Sequence, residues 1–388
     1  MRTGDQSYIK ELNRSIALQI LRSHTTISRT QIAKISGLNK ATISAIVDEL
    51  IEQGLALEVG RGPSSVGRRP VLLHFNANAG YAIGLEIAVG SLRAVVTNLS
   101  GQVLHVIHRE TDDLAVTAVI EQIQSIIGEL QVKTVPSRLG ILGVGVGVPG
   151  LVNFSKGIVL NAPNLQWQNV PMQAQLEAAL SLPVWIDNEA NAGALGEKLF
   201  GAGKDVANVV YISAAAGIGA GIIVKGDLLR GADGLAGEFG HMTIESQGPK
   251  CACGSRGCLE VFASERRLMD LYRQAHSKEA SFAAFIQALN DTDEAAIEAV
   301  YTVGHYLGIG ISNIVNAMNP SMVIIGNRLA QTGAHLLSAV SESLKERCFI
   351  KPYSNVHVQV STLGINACAI GAASLVLQRY FAGPEVME

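Results

Sequence analysis

Apolar positions in the first fifty residues recur at helical spacing, in three short runs. Ile9, Leu12, Ile16, Ile20 and Leu21 fall on one face of a helix expected over residues 8–21. Ser28-Arg29-Thr30-Gln31 has capping-box spacing and opens a second short helix that Gly37 ends. Asn39 can cap a third, from Lys40 to Gln53, with Ile43, Ile46, Val47 and Leu50 inward and Gly54 as its stop. Two β-like stretches, 55–59 and 71–75, then flank a segment rich in Gly, Pro, Ser and Arg. The order helix, helix–turn–helix, basic wing over residues 1–77 is that of a winged helix-turn-helix.

From Gly80 the period shortens. Residues 81–87, 92–99 and 103–109 read as a strand meander, followed by a helix over 116–131 and a buried strand over 139–148. A similar opening returns at 208–214 and 219–225, with a Gly226-Asp227 turn before Leu228. Two hairpin-led halves predict a duplicated α/β body with a cleft between lobes. Residues 78–186 form the expected first lobe and 187–365 the second, whose helices cover 265–275, 281–289 and 293–316 before a strand at 322–325. A last helix from Asn366 is expected to pack back on the first lobe and complete it with residues 366–388.

Charge separates head from body. The 388-residue chain carries a formal −3, yet residues 1–75 hold ten Lys and Arg against six acids, a local +4. A basic head on an acidic body points to an anionic partner for the head alone. Lys40, Thr42, Ser44 and Ala45 lie at the outward N-terminal end of the third helix, the end that reaches base edges in this motif. Arg29, Asn39, Arg61, Arg68 and Arg69 complete the candidate DNA contacts, with the wing arginines aimed at the backbone or the minor groove. A small helical domain binding protein instead of DNA is the alternative. No apolar run is long enough to span a bilayer and no secretory stretch opens the chain, so a cytoplasmic protein is expected.

Three of five cysteines crowd into Cys251-x-Cys253-x4-Cys258, shortly after His241. One imidazole and three thiolates suit tetrahedral zinc, and four protein ligands leave no open position, which makes such a site structural. Gly254 and Gly257 allow the tight backbone that converging sulfurs need. Three reduced, buried thiols remain the plainer reading. If one nitrogen of His241 holds metal, the other becomes a fixed N–H donor. Glu238 and Glu260 bracket the same knot, and carboxylates beside a donor imidazole suit a polyol, because each hydroxyl both donates and accepts.

Glu238-Phe239-Gly240-His241 and the cysteine signature together resemble the ROK family of repressors, open reading frames and sugar kinases, over nearly the whole chain. The resemblance implies an actin-like, two-lobed ATPase fold, with the N-terminal winged helix of the family's repressor branch. Within that branch, Ser36–Lys40, Gly67–Val71, Asn188–Ala194 and Gly248–Cys251 look most like bacterial xylose-operon repressors. It implies sugar ligands at Asn188, Glu238, His241 and Glu260, with Asn164 and Glu189 as further candidates.

Departures from the family's kinases bear on chemistry. Those kinases place an Asp as general base where this chain has Glu189. Their phosphate loops, rich in Gly, Thr and Asp, are matched here by Glu86-Ile87-Ala88-Val89-Gly90 and Ala215-Ala216-Gly217, and the adenine-side turn by Gly326-Asn327. Phosphate cradling needs glycine backbone N–H groups with hydroxyl or carboxylate help, and the methyl groups of Ala and Val crowd the nucleotide, so loss of nucleotide binding and of kinase activity is expected. The implied function is a sugar-responsive repressor without enzymatic activity. It binds a pseudo-palindromic operator in double-stranded DNA as a homodimer, with pairing into tetramers left open, and D-xylose is the favoured inducer. A repressor answering to glucose, N-acetylglucosamine or a protein partner, and an active kinase with a regulatory arm, are the alternatives.

Overall fold

A computed structural model of the chain describes residues 6–62, 69–276, 279–350 and 355–382. The head contains α1 (Gln6–Arg22), β1 (Ile27–Ser28), α2 (Arg29–Ser36) and α3 (Lys40–Glu52), then the wing strands β2 (Ala56–Arg61) and β3 (Val71–Phe75) in the sheet order β1-β3-β2. The expected caps form. Ser28 and Gln31 make a reciprocal capping box, Gly37 closes α2 at φ 72°, and Asn39 accepts from the Thr42 N–H. Ile43, Ile46, Val47 and Leu50 are buried as expected. The expected face of α1 holds in its second half, where Leu21 is buried and Ile20 packs on the core beside Ala17 and Leu18, whereas Ile9 and Leu12 are exposed at 49% and 39%.

The buried face of α1 packs on α2, α3 and β3. The head's core is continuous with Ala82 and Leu99 of the next lobe and with Ala373, Val376, Leu377 and Phe381 near the chain's end. The Arg22 guanidinium stacks 3.6 Å from the centroid of the Phe381 ring, and the Leu99 N–H donates to the Ala77 carbonyl at 2.9 Å.

The first lobe is built from β4 (Tyr81–Ala88), β5 (Ser91–Asn98), β6 (Val103–Glu110), α4 (Val116–Lys133) and β7 (Ile141–Val148). A small antiparallel sheet follows, β8 (Leu151–Asn153), β9 (Ile158–Ala162) and β10 (Trp167–Val170), then α5 (Met172–Leu180) and β11 (Val184–Asn188). Its main sheet has the order β11-β7-β4-β5-β6, so it runs two residues past the boundary expected at 186. After α6 (Glu189–Phe200), the second lobe repeats the plan with β12 (Val209–Ala214), β13 (Ile218–Val224) and β14 (Asp227–Leu228). Next come α7 (Glu260–Ala263), α8 (Glu265–His276), α9 (Phe282–Asn290), α10 (Glu294–Met318), β15 (Met322–Gly326), α11 (Gly333–Arg347), β16 (His357–Val360) and α12 (Ala367–Phe381). The order β14-β13-β12-β15-β16 repeats that of the first sheet strand for strand: an antiparallel meander with two parallel strands added beside its first strand. This duplication gives the two-lobed, actin-like body.

Two helices of small residues lie between the sheets. α6 packs on β12 and β13, and α12 packs back on β4 and β7 of the first lobe. They cross at backbone distance: a Cβ on Gly371 would land on the Ala192 carbonyl. Such an approach needs glycine.

Candidate functional site

Loops at the ends of both sheets line a cleft of about 870 Å³ between the lobes. Asn164, Asn188, Glu189, Glu238, His241 and Glu260 all border it, so every sequence-predicted sugar residue comes to one place. The first lobe supplies Asn188 at the end of β11 and Asn164 from the turn after β9. The Asn188 side chain is already engaged: its Oδ1 caps α6 by accepting from Ala190 and Asn191, and its Nδ2 donates to the Gly150 carbonyl at 2.9 Å. These bonds fix its position beside the cleft.

The second lobe supplies the knot. His241 Nδ1 lies 3.6 Å from Cys251 Sγ, Cys253 Sγ lies 3.8 Å from Cys258 Sγ, and the four ligand atoms fall within 4.8 Å of one another. A tetrahedral zinc with bonds of about 2.3 Å to sulfur has edges of about 3.8 Å, so the donor set and its spacing fit that ion. Gly254 at φ +94° and Gly257 at φ +67° turn the chain through it. Burial raises the Cys251 and Cys258 thiols, whereas the Ser255 backbone N–H lowers Cys253. With Nδ1 turned to the sulfurs, Nε2 of His241 is left toward the cleft, 3.9 Å from Glu238. Glu260 divides its role: Oε1 accepts from the Cys251 thiol at 2.9 Å, while Oε2 points toward Gly217 across the pocket.

The floor of the cleft is acidic. Burial lifts Glu86 to about 7 against the opposing pull of Arg93, whose Nε is 3.8 Å away. Burial, together with the charges of Glu86 and Glu238, lifts Glu189 to about 8. A carboxyl raised this far is largely protonated at neutral pH and can donate a hydrogen bond to a ligand. Val89, Ala215, Ala216 and Asn327 line the same end of the cleft. Asn327 also donates to Ser213 Oγ at 3.2 Å.

Three polar links across or beside the cleft were not legible from sequence. Arg266 of α8 donates to Asn164 Oδ1 at 3.4 Å, Arg230 pairs with Asp187, and the Glu86 carboxylate is bonded by Asn327. Each joins residues far apart in the chain, for which no spacing rule exists. The one signal was Arg230 standing at the start of the glycine-bearing run that leads to Glu238.

On the head, Lys40 and Ala45 are exposed and Thr42 and Ser44 half-buried at the start of α3. Arg61 ends β2 and Arg69 is exposed beside the wing, while Arg68 lies outside the described residues. The Arg29 guanidinium pairs with Asp48 at 2.7 Å and Glu58 at 3.2 Å, which ties it to α3 and the wing strand β2.

A DNA-reading head fixed to a two-lobed, actin-like body with a polar cleft defines the class. The profile of the ROK family matches residues 82–379, and the chain belongs to that family. It is 39% identical to a xylose repressor of Caldicellulosiruptor bescii, over 98% of this chain and 99% of that one. Among solved structures, a ROK family transcriptional regulator, a homologue of the Escherichia coli MLC protein, superposes with a TM-score of 0.81. That match has 29% identity and covers 97% of this chain and 98% of the other. A ROK glucokinase from Streptomyces griseus, solved with glucose and AMPPNP, matches at TM-score 0.70 and 28% identity, over 76% of this chain and 99% of its own. The kinase likeness thus covers less of this chain than the regulator likeness.

Proposed function

We propose that the chain is a transcriptional repressor released from its operator by D-xylose. The observation that carries this reading is the union, in one chain, of a winged helix and a sugar-type cleft, matched end to end by a protein named a xylose repressor. Sugar hydroxyls bridge Asn164 and Asn188 of the first lobe to Glu238, His241 and Glu260 of the second, with Glu189 donating from the floor. Differential affinity for the closed cleft then drives the lobes together.

Because the head packs on the first lobe, closure moves it as one body relative to the second lobe. In a homodimer joined through second-lobe helices, that motion changes the spacing of the two α3 helices and misfits the half-sites. Asn39, Lys40, Thr42 and Ser44 meet the major groove, with Arg61, Arg68 and Arg69 at the backbone. Such a protein works in the cytoplasm, and among the described residues no helix is long and apolar enough to cross a membrane. Zinc, held by His241, Cys251, Cys253 and Cys258, would rigidify the loop that presents Glu238 and His241.

Catalysis is not part of this reading. Departures from the kinase pattern support this: Glu189 stands where those kinases have an Asp, and Val89, Ala215 and Ala216 line the cleft where their loops carry glycine and hydroxyl groups. Calorimetric titration with D-xylose, glucose and N-acetylglucosamine, beside an ATP-coupled turnover assay on each, tests the whole. Saturable heat with xylose and no turnover supports it. Sustained phosphorylation, or heat only with a different sugar, overturns the corresponding part.

A further inference from the structure

We infer that Arg230 is a positioning residue for the effector, a strut that holds the two halves of the cleft in register through Asp187. The inference rests on the sugar-response reading above. Arg230 follows β14 and opens the loop that leads through Gly231, Gly234 and Gly237 to Glu238, and its carbonyl accepts from the Ala236 N–H at 2.9 Å. Its side chain leaves that lobe. Nη1 donates to Asp187 Oδ2 at 2.6 Å, and the guanidinium lies 4.0 Å from the centroid of the Phe154 ring. Asp187 is in β11 and Phe154 in the turn between β8 and β9, so both partners belong to the first lobe.

The Asp187 side chain is 2% exposed, and its other oxygen accepts from the Asn188 N–H at 2.8 Å and from the Asn191 amide at 3.2 Å. A continuous chain of bonds therefore runs from the loop that presents Glu238 to Asn188 on the opposite wall. Burial of such a pair is weak ground for added stability, since apolar replacements often do as well. What a planar guanidinium on a carboxylate and a ring face supplies is orientation in two directions at once.

The test uses full-length Arg230→Ala, Arg230→Lys, Asp187→Asn and the double variant Arg230→Ala/Asp187→Asn. D-xylose affinity, sugar-free operator affinity and thermal midpoint are measured for each. Arg230→Ala should weaken xylose binding about tenfold or more, as expected when one partner of a buried charged pair is removed. Sugar-free operator affinity should stay within about twofold. Arg230→Lys should recover part of the loss, because an ammonium reaches the carboxylate but does not cover Phe154. Asp187→Asn should cost a similar amount, and the double variant no more than the worse single one.

Wild-type xylose affinity in Arg230→Ala overturns the inference, as does a fully additive double variant. So does a sugar loss matched by equal losses in operator affinity and melting. Should Arg230→Ala fail to fold, Arg230→Lys and Asp187→Asn carry the same comparison at nearly constant volume. Wild-type protein that takes up none of xylose, glucose and N-acetylglucosamine refutes the sugar-site reading, and this strut with it, before any variant is made.

Discussion

Replacing Glu189 with Gln tests the claim that the cleft floor holds a protonated acid. The carboxyl sits at about 8 in the folded chain against 4.5 for the free side chain, so at pH 7 about nine-tenths of it is neutral. A raised folded pKa contributes stability that is fully present below the unfolded value and lost as pH rises through the folded one. Between pH 4.5 and about 8 the unfolded chain releases a proton that the native chain keeps, and stability falls by about 1.4 kcal/mol per pH unit. From pH 6 to pH 9 this one group removes about 2.6 kcal/mol. For a chain of this length, that is a shift in melting temperature of about 3 °C if the lobes unfold together. Glu86, lifted to about 7, titrates in the same window, so the informative quantity is the difference between wild type and Glu189→Gln. Differential scanning calorimetry across pH 6–9 should show the variant losing less stability than wild type by that margin. Parallel curves would refute the reasoning: Glu189 would then be ionised at neutral pH.

Other perturbations probe the remaining parts. Cys253→Ser removes one of four metal donors and should lower zinc affinity by more than about a hundredfold, with a weaker sugar response; zinc content by atomic absorption that matches wild type would show the knot misread. Arg69→Ala should weaken operator binding and reduce the slope of log affinity against log salt by about 1, and an unaltered slope removes that phosphate contact. Gly371→Ala drives a methyl into the Ala192 carbonyl where α12 crosses α6, and should cost about 1–3 kcal/mol in denaturant titration; a neutral result would mean the crossing can spread.

Much of this was written locally in the sequence. The caps at Ser28 and Asn39 and the sulfur knot involve groups a few residues apart, so spacing alone places them. The repeated meander was visible because antiparallel strands joined by short turns keep their alternation. The crossing helix α6 was not, since Ala190–Gly196 is buried on all sides and has no polar face to mark a period. The start of α1 departed from its helical period, since Ile9 and Leu12 stay exposed while Leu21 is buried as its spacing indicates. The ion pairs of Arg29 with Asp48 and Glu58 join residues 19 and 29 positions apart, which no spacing rule marks. The links across the cleft, Arg230 to Asp187 and Arg266 to Asn164, exist only once both lobes are folded.

Fluorescence anisotropy on a duplex that the protein itself selects from a random pool tests the central claim most directly. Tight binding without sugar, released by millimolar-range D-xylose and indifferent to ATP, is the predicted result. A binding curve that xylose leaves unmoved would contradict the account.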